Sequence, residues 1–206
     1  MSAPMGNQPA PLDTDANSAT PGAPPPADLQ RMTADIDLRT GEHIRARPIR
    51  PDDTTRLQDF HARLSSDAVI LRFFRFVPTL PKSDAEHFTH VDYNDRMALL
   101  ATRGEGADEQ ILGVVRYYRI SPDTAEVAFV VADQWQGRGI ATALLRRLAP
   151  YARARGITHL LAITMATNEK MLDVLRHAGY PINCHYSEGE YSVTLDISAP
   201  SAGEPS

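Results

Sequence analysis

The stretch Glu126-Val127-Ala128-Phe129-Val130-Val131-Ala132-Asp133-Gln134-Trp135-Gln136-Gly137-Arg138-Gly139-Ile140-Ala141 constrains this chain more than any other. It reads as a hydrophobic strand, a short polar turn, and glycines that open a helix. The first N–H groups of a helix have no partner within it, and the helix dipole is positive there. A phosphate or pyrophosphate is therefore favoured at that point. Glycine lets a ligand approach the backbone closely. Arg138 adds a positive charge.

Strand and helix patterns alternate around this stretch. His43 to Ile49 reads as a first strand. Pro51-Asp52-Asp53 starts a helix, because proline suits the first turn and acids suit its positive end. Leu57, Phe60 and Leu64 recur at helical spacing. Ala68 to Phe74 and Ser83 to His90 are short helices. Met97 to Thr102, Ile111 to Ile120 and Ala125 to Ala132 form three strands joined by short turns, which makes them antiparallel. A helix of about 138–155 follows, with Ile140, Leu144 and Leu148 on one face and Leu145 beside them. Pro150 is expected to kink or interrupt it. Leu160 to Met165 is a strand, and Asn168 to His177 is a helix stopped by Ala178-Gly179. Ile182 to Tyr186 and Tyr191 to Ile197 close as a hairpin around Glu188-Gly189. The pattern is a mixed sheet with helices on its faces.

Residues 1–35 and 198–206 are expected to be disordered tails. The first 30 positions hold seven of the 16 prolines and almost nothing large and apolar, too little to offset the entropy of ordering. That leaves one domain, 36–197, in a chain of 206 residues. A net charge of −5 argues against a general nucleic-acid binder. No stretch approaches the roughly 20 apolar residues that span a bilayer, and the N-terminus lacks the pattern of a secretory signal. The single cysteine, Cys184, excludes an intrachain disulfide and fits a cytoplasmic location. The seven histidines show no metal-ligand spacing, so no metal is expected.

Two nucleotide readings of the glycine loop fail. Gly137-x-Gly139 begins a G-x-G-x-x-G pattern, but Thr142 stands where the third small residue belongs, and no acid ends the strand Leu160–Ala166. No Gly-Lys-Ser/Thr follows, which excludes a P-loop. A coenzyme A loop of the form Q/R-x-x-G-x-G/A is matched by Gln136, Gly139 and Ala141.

With this loop after a fourth strand, and with the later Asn168 and Gly179-Tyr180, the chain resembles the GNAT superfamily of N-acetyltransferases across 43–197. Arg72-Phe73-Phe74, Phe88-Thr89-His90-Val91-Asp92-Tyr93, Asp95-Arg96-Met97-Ala98-Leu99 and Ala125-Glu126-Val127-Ala128-Phe129 look more closely like the catalytic domain of bacterial protein-lysine acetyltransferases. Those enzymes modify the active-site lysine of AMP-forming acyl-CoA synthetases. The resemblance implies an α/β (α+β) fold with a mixed, mostly antiparallel sheet of six to seven strands flanked by about four helices. It implies acetyl-CoA as co-substrate, a protein partner bearing a target lysine, and a monomer or dimer without nucleic acid or membrane. Relatives often fuse this domain to a ligand-sensing domain, for which this chain has no room.

Acyl transfer to an amine requires the neutral amine, and a free lysine has a pKa of ~10.4. Glu126 is the candidate general base. It is the charged residue in a strand otherwise fit for burial, on one face with Ala128 and Val130, while Ala125, Val127, Phe129 and Val131 share the other. A carboxylate among apolar neighbours holds its proton more tightly, which suits a base. The match to the base position of the resembled family adds to this.

The resemblance further implies that Phe129, Val130 and Val131 offer backbone groups to the pantetheine arm. It assigns Gln136, Gly137, Arg138, Gly139, Ile140, Ala141 and Thr142 to the pyrophosphate. Asn168 either contacts the coenzyme or only caps its helix. Arg146, Arg147, Arg153 and Arg155 either meet the 3′-phosphate or form a solvated helix face. Arg72, Phe73 and Phe74 either wall the substrate site or belong to the core. The tyrosine that many relatives use as general acid is absent from its place, and Tyr180 is read as core. Two other functions share these features: a small-molecule amine acetyltransferase and a non-catalytic acyl-CoA sensor.

Overall fold

A computed structural model that describes residues 27–201 places eight strands in one sheet, its central members buried almost throughout and others alternating with period two. The strands are β1 (Ala34–Asp37), β2 (His43–Pro48), β3 (Arg96–Arg103), β4 (Gln110–Arg119), β5 (Thr124–Val131), β6 (His159–Met165), β7 (Ile182–Ser187) and β8 (Glu190–Asp196). Their order is β1-β2-β3-β4-β5-β6-β8-β7. Every pairing is antiparallel except β5 with β6. The helices are α1 (Thr54–Ala62), α2 (Ser66–Phe73), α3 (Lys82–Thr89), α4 (Ile140–Arg153) and α5 (Glu169–Arg176). The fold class is as expected, with one strand and one helix more than the resemblance implied.

The added strand is β1. Residues 27–35, assigned by composition to a tail, form a 3-10 helix, Ala27–Met32, and the start of that edge strand. Leu29 and Met32 are buried in the core, and β1 pairs with β2 from Ala34 to Asp37. Two apolar residues and a ladder of backbone bonds suffice where composition averaged over 30 residues showed none. At the other end Arg153 donates to the carbonyls of Ile197 and Ala199, at 3.1 and 3.0 Å, so the chain is held past position 198. The expectations for 1–26 and 202–206 lie outside the described residues.

Two layers of helix cover the sheet. α4 packs on β3, β4 and β5 through Ile140, Leu144, Leu145, Leu148 and Ala152, all buried. The helix runs through Pro150 from Ile140 to Arg153, so the interruption allowed for does not occur. The pyrrolidine removes one N–H, and tertiary burial of the flanking Leu148, Ala149, Tyr151 and Ala152 holds the turn. α1, α2 and α3 cover the opposite face. The β7–β8 turn has Glu188 and Gly189 both at positive φ, 51° and 89°, as a two-residue hairpin requires.

One buried ion network anchors the entry to α1. Arg47 on β2 grips Asp53 with two bonds of 2.7 Å and Glu109 with two of 2.8 Å. Asp53 also accepts the N–H of Arg50 at 2.8 Å, closing the turn that starts the helix. The hydrogen bond from Arg47 holds the Glu109 carboxyl below the usual glutamate range. Removing one member of such a buried set leaves an uncompensated charge. Asp53→Ala is expected to cost ~3–5 kcal/mol in urea unfolding. A carboxyl with a lowered folded pKa stabilises fully above its ordinary value of about 4.3 and loses that contribution as pH falls through the folded value. The stability gap between the native chain and Glu109→Gln should therefore narrow below about pH 4.

Candidate active site

β5 loses a neighbour halfway along its length. It pairs with β6 only where Thr124, Ala125 and Glu126 meet His159, Leu160 and Leu161. Beyond Leu161, β6 continues to Met165 against β8, while β5 continues to Val131 against β4. The strands diverge, and alternate peptide groups from Val127 to Val131 face a wedge-shaped gap. Glu126 sits at its apex.

Glu126 is half-buried. It lies directly across from Tyr118 on β4, as Ala128 does from Arg116 and Val130 from Val114. Directly paired residues share a face, so Glu126, Ala128, Val130, Val114, Arg116 and Tyr118 project toward α1 and α2. Ala125, Val127 and Phe129 are buried on the α4 face. The alternation read from the sequence holds. The charged neighbours of Glu126 were not legible. Arg116 arrives from β4, and Arg72 from the last turn of α2 feels the charge of Glu126.

The far end of the gap is closed by the glycine loop. Gly137 and Gly139 have φ of 73° and 90°, which suits glycine, and a Cβ on either would meet nothing within 4 Å. The space above both is open for a ligand. No side chain caps α4, so its first N–H groups point into that space. Trp135 is buried beneath the loop, and the Arg138 guanidinium lies 4.8 Å from the centre of its ring while pairing with Glu42. Gln136 donates to the carbonyl of Val131 at 3.1 Å, tying loop to strand. Lys170, in the first turn of α5, donates to the Gln136 side chain at 2.9 Å. Ile140 is buried, whereas Ala141 and Thr142 are half-buried in the first turn of α4.

Several supports escaped the sequence reading. Gly113 on β4 lies under the start of α4. A Cβ there would come within 3.2 Å of the Val130 carbonyl and 3.3 Å of Ile140. Its lack of a side chain lets the helix N-terminus seat close to the sheet. Ser65 caps α2 and gives its hydroxyl and N–H to Asp133 at 2.6 and 2.9 Å. That pair fixes the turn leading to the glycines. Isolated glycine in a strand was the available signal for the first; none marked the second.

The remaining residues divide clearly. Asn168 caps α5, accepting the N–H of Met171 at 3.1 Å. Arg153 serves backbone carbonyls near the C-terminus, and Arg155 donates to the Tyr93 carbonyl at 2.9 Å. Tyr180 is buried at the end of α5. Cys184 is exposed on edge strand β7, away from the gap. Phe73 packs against the core. Among the described residues no group of three or more His, Cys, Asp or Glu could hold a metal, and no helix is long and apolar enough to cross a membrane.

The acetyltransferase (GNAT) domain model matches residues 43–181. The chain belongs to the GNAT acetyltransferase family. The GNAT domain of PAT from S. lividans superposes with a TM-score of 0.74 at 39% identity, covering 81% of this chain and 97% of that one. Acetyltransferase Pat of Mycolicibacterium smegmatis is 31% identical over 146 residues, which are 70% of this chain and 43% of that protein. An acetyltransferase of Pseudomonas aeruginosa is 28% identical over 144 residues, 69% of this chain and 77% of that protein. The chain thus spans less than half of the mycobacterial relative. The family makes it an acyl-CoA-dependent acyltransferase.

The open space over Gly139 generates a prediction. Gly139→Val places a side chain at φ 90°, costing roughly 1–2 kcal/mol of stability, and should weaken acetyl-CoA binding at least tenfold by calorimetry. Gly156→Val, at φ 80° with equally open surroundings, should cost similar stability and leave binding unchanged.

Proposed function

We propose that this GNAT enzyme transfers an acetyl group from acetyl-CoA to a lysine side chain of a protein, and that the acceptor is an AMP-forming acyl-CoA synthetase in the cytoplasm. The observation that carries the reading is Glu126 at the apex of the β5–β6 gap. The motifs of 72–99 and 125–129 add the resemblance to protein-lysine acetyltransferases.

The donor lies along the gap. Its pyrophosphate meets the N–H groups from Gly137 to Thr142, near the Arg138 charge, with Gln136 holding the loop to β5. The pantetheine pairs with peptide groups of Phe129, Val130 and Val131, as an added strand would. An N–H near Val130 polarises the thioester carbonyl. The lysine enters from the Glu126 side. Glu126 removes the proton that keeps most lysine charged near pH 7. The neutral amine attacks the carbonyl carbon, the N–C bond forms, the C–S bond breaks with the electron pair leaving on sulfur, and the extra proton on nitrogen passes to the thiolate or to water. The CoA thiolate departs without an assigned general acid. The transfer is direct, within a ternary complex, because Cys184 lies away from the gap on β7.

The test uses labelled acetyl-CoA, the purified chain and an AMP-forming acetyl-CoA synthetase. Label should appear on one synthetase lysine, and Glu126→Gln should slow it by ~10²-fold or more, the usual worth of a positioned base. Full activity in that variant would remove Glu126 from the mechanism. Retained acetyl-CoA binding without label on any protein would favour a small amine as acceptor.

A further inference from the structure

One buried polar side chain near Val130 of β5 has no partner within the protein. His61, in α1, is only 5% exposed, and neither of its ring nitrogens has a hydrogen-bond partner among the described residues. Its ring lies 5.9 Å from that of Phe73, tilted by 53°. An unpaired buried imidazole costs the fold the desolvation of its polar atoms. His61 lines a cavity of about 30 Å³ between β4–β5 and helices α1–α3, whose apolar walls include Leu57, Leu64, Phe73, Leu80, Phe88 and Val130. Arg72 and Arg116 line it too, but both have other partners. Arg116 donates to the Tyr118 hydroxyl at 2.9 Å, and Arg72 lies in the field of Glu126.

We propose that this cavity receives the end of an acyl chain longer than acetyl, and that His61 selects chains carrying a hydroxyl there. Val130 forms part of its wall and belongs to the strand that, on the reading above, binds the thioester. A water needs about 10–15 Å³ of such space, so the cavity admits about two groups of that size. That is the room taken by the two heavy atoms that follow acetyl in a three-carbon chain ending in a hydroxyl. Burial pushes the imidazole below the usual histidine pKa, so it is uncharged at neutral pH. A neutral imidazole has one N–H donor and one acceptor nitrogen. A hydroxyl both donates and accepts, so it pairs with whichever nitrogen faces the cavity, in either tautomer.

A purely apolar chain of the same length is favoured by the walls. It also displaces any water that pairs with the imidazole, and returns no hydrogen bond. A hydroxylated chain meets the walls with its methylenes and the imidazole with its end. The transfer itself is unchanged: the amine attacks the same carbonyl carbon and the same C–S bond breaks, with the extra atoms carried along. The inference rests on the reading of the donor site given above.

Calorimetry on the full chain compares 3-hydroxypropionyl-CoA with butyryl-CoA, whose acyl groups have equal numbers of heavy atoms. The hydroxylated thioester should bind ~fivefold tighter or more, because it keeps the imidazole paired and the other does not. In His61→Phe, which keeps a ring against Phe73 and removes both nitrogens, the ratio should fall to near one or below. His61→Leu serves if the phenylalanine does not fit. In His61→Gln, which restores a donor and an acceptor, the preference should return at least in part. A merely structural histidine would change both affinities alike and leave their ratio where it was. Equal binding of the two thioesters, or a preference that survives loss of the imidazole, overturns the subsite and leaves the donor reading intact. So does tight binding of acetyl-CoA with no measurable binding of either longer thioester, which closes the cavity to the acyl chain. Failure to bind any acyl-CoA overturns the donor reading, and the subsite falls with it.

Discussion

A strand that parts from its neighbour leaves peptide groups without partners, and the rest of this structure is arranged around that fact. Backbone N–H and C=O groups must be paired when removed from water. β5 satisfies one edge fully through β4, from Ala125 to Val131, and the other only as far as Glu126. The unpaired edge is therefore a binding surface by default, with the geometry of a missing strand. β6 stays paired with β8 on its other edge along its whole length. α4 bridges from the end of β5 back to β6 and supplies a helix N-terminus where the gap ends. Gly113 permits that close seating, and the Ser65–Asp133 pair fixes the turn before it.

How far this was legible in the sequence follows from the range of each signal. The loop from Gln136 to Ala141, the alternation along β5 and the stripe of Ile140, Leu144 and Leu148 are local patterns with periods of two or 3.6. They placed strand, loop and helix in order, and placed Glu126 on the face opposite Phe129. β1 was missed because its four residues, Ala-Asp-Ile-Asp, carry one strong apolar side chain. Its existence depends on pairing with β2, a tertiary cause that outweighs composition. Pro150 misled for a related reason: intrinsic propensity counts one lost bond, whereas the buried face of α4 decides the outcome.

The surroundings of Glu126 were illegible for a different reason. Sequence alternation describes β5 alone as apolar. Arg116 comes from β4 through the register that sets it across from Ala128, and Arg72 comes from α2. The carboxylate therefore sits among apolar strand neighbours and within the field of nearby guanidinium charge. Those influences act in opposite directions on a proton, since desolvation favours the neutral acid and positive charge favours the carboxylate. The first strengthens the carboxylate as a base, and the second keeps it ionised and so free to accept a proton. The ionised form is the one able to act.

Two arginines of this chain, equally buried, show how one side chain serves two purposes. Arg47 has all its donors committed, to Asp53, Glu109 and the carbonyl of Pro48. Its charge is neutralised within the fold, and its role is to hold β2 to the start of α1. Arg116, at the same 5% exposure, lies over the Phe88 ring and donates to the Tyr118 hydroxyl. A cation over a ring recovers only about 0.5–2 kcal/mol, less than a buried charge loses on leaving water. The opposite charge near that face is Glu126, the residue assigned to the chemistry, whose field acts on Arg72.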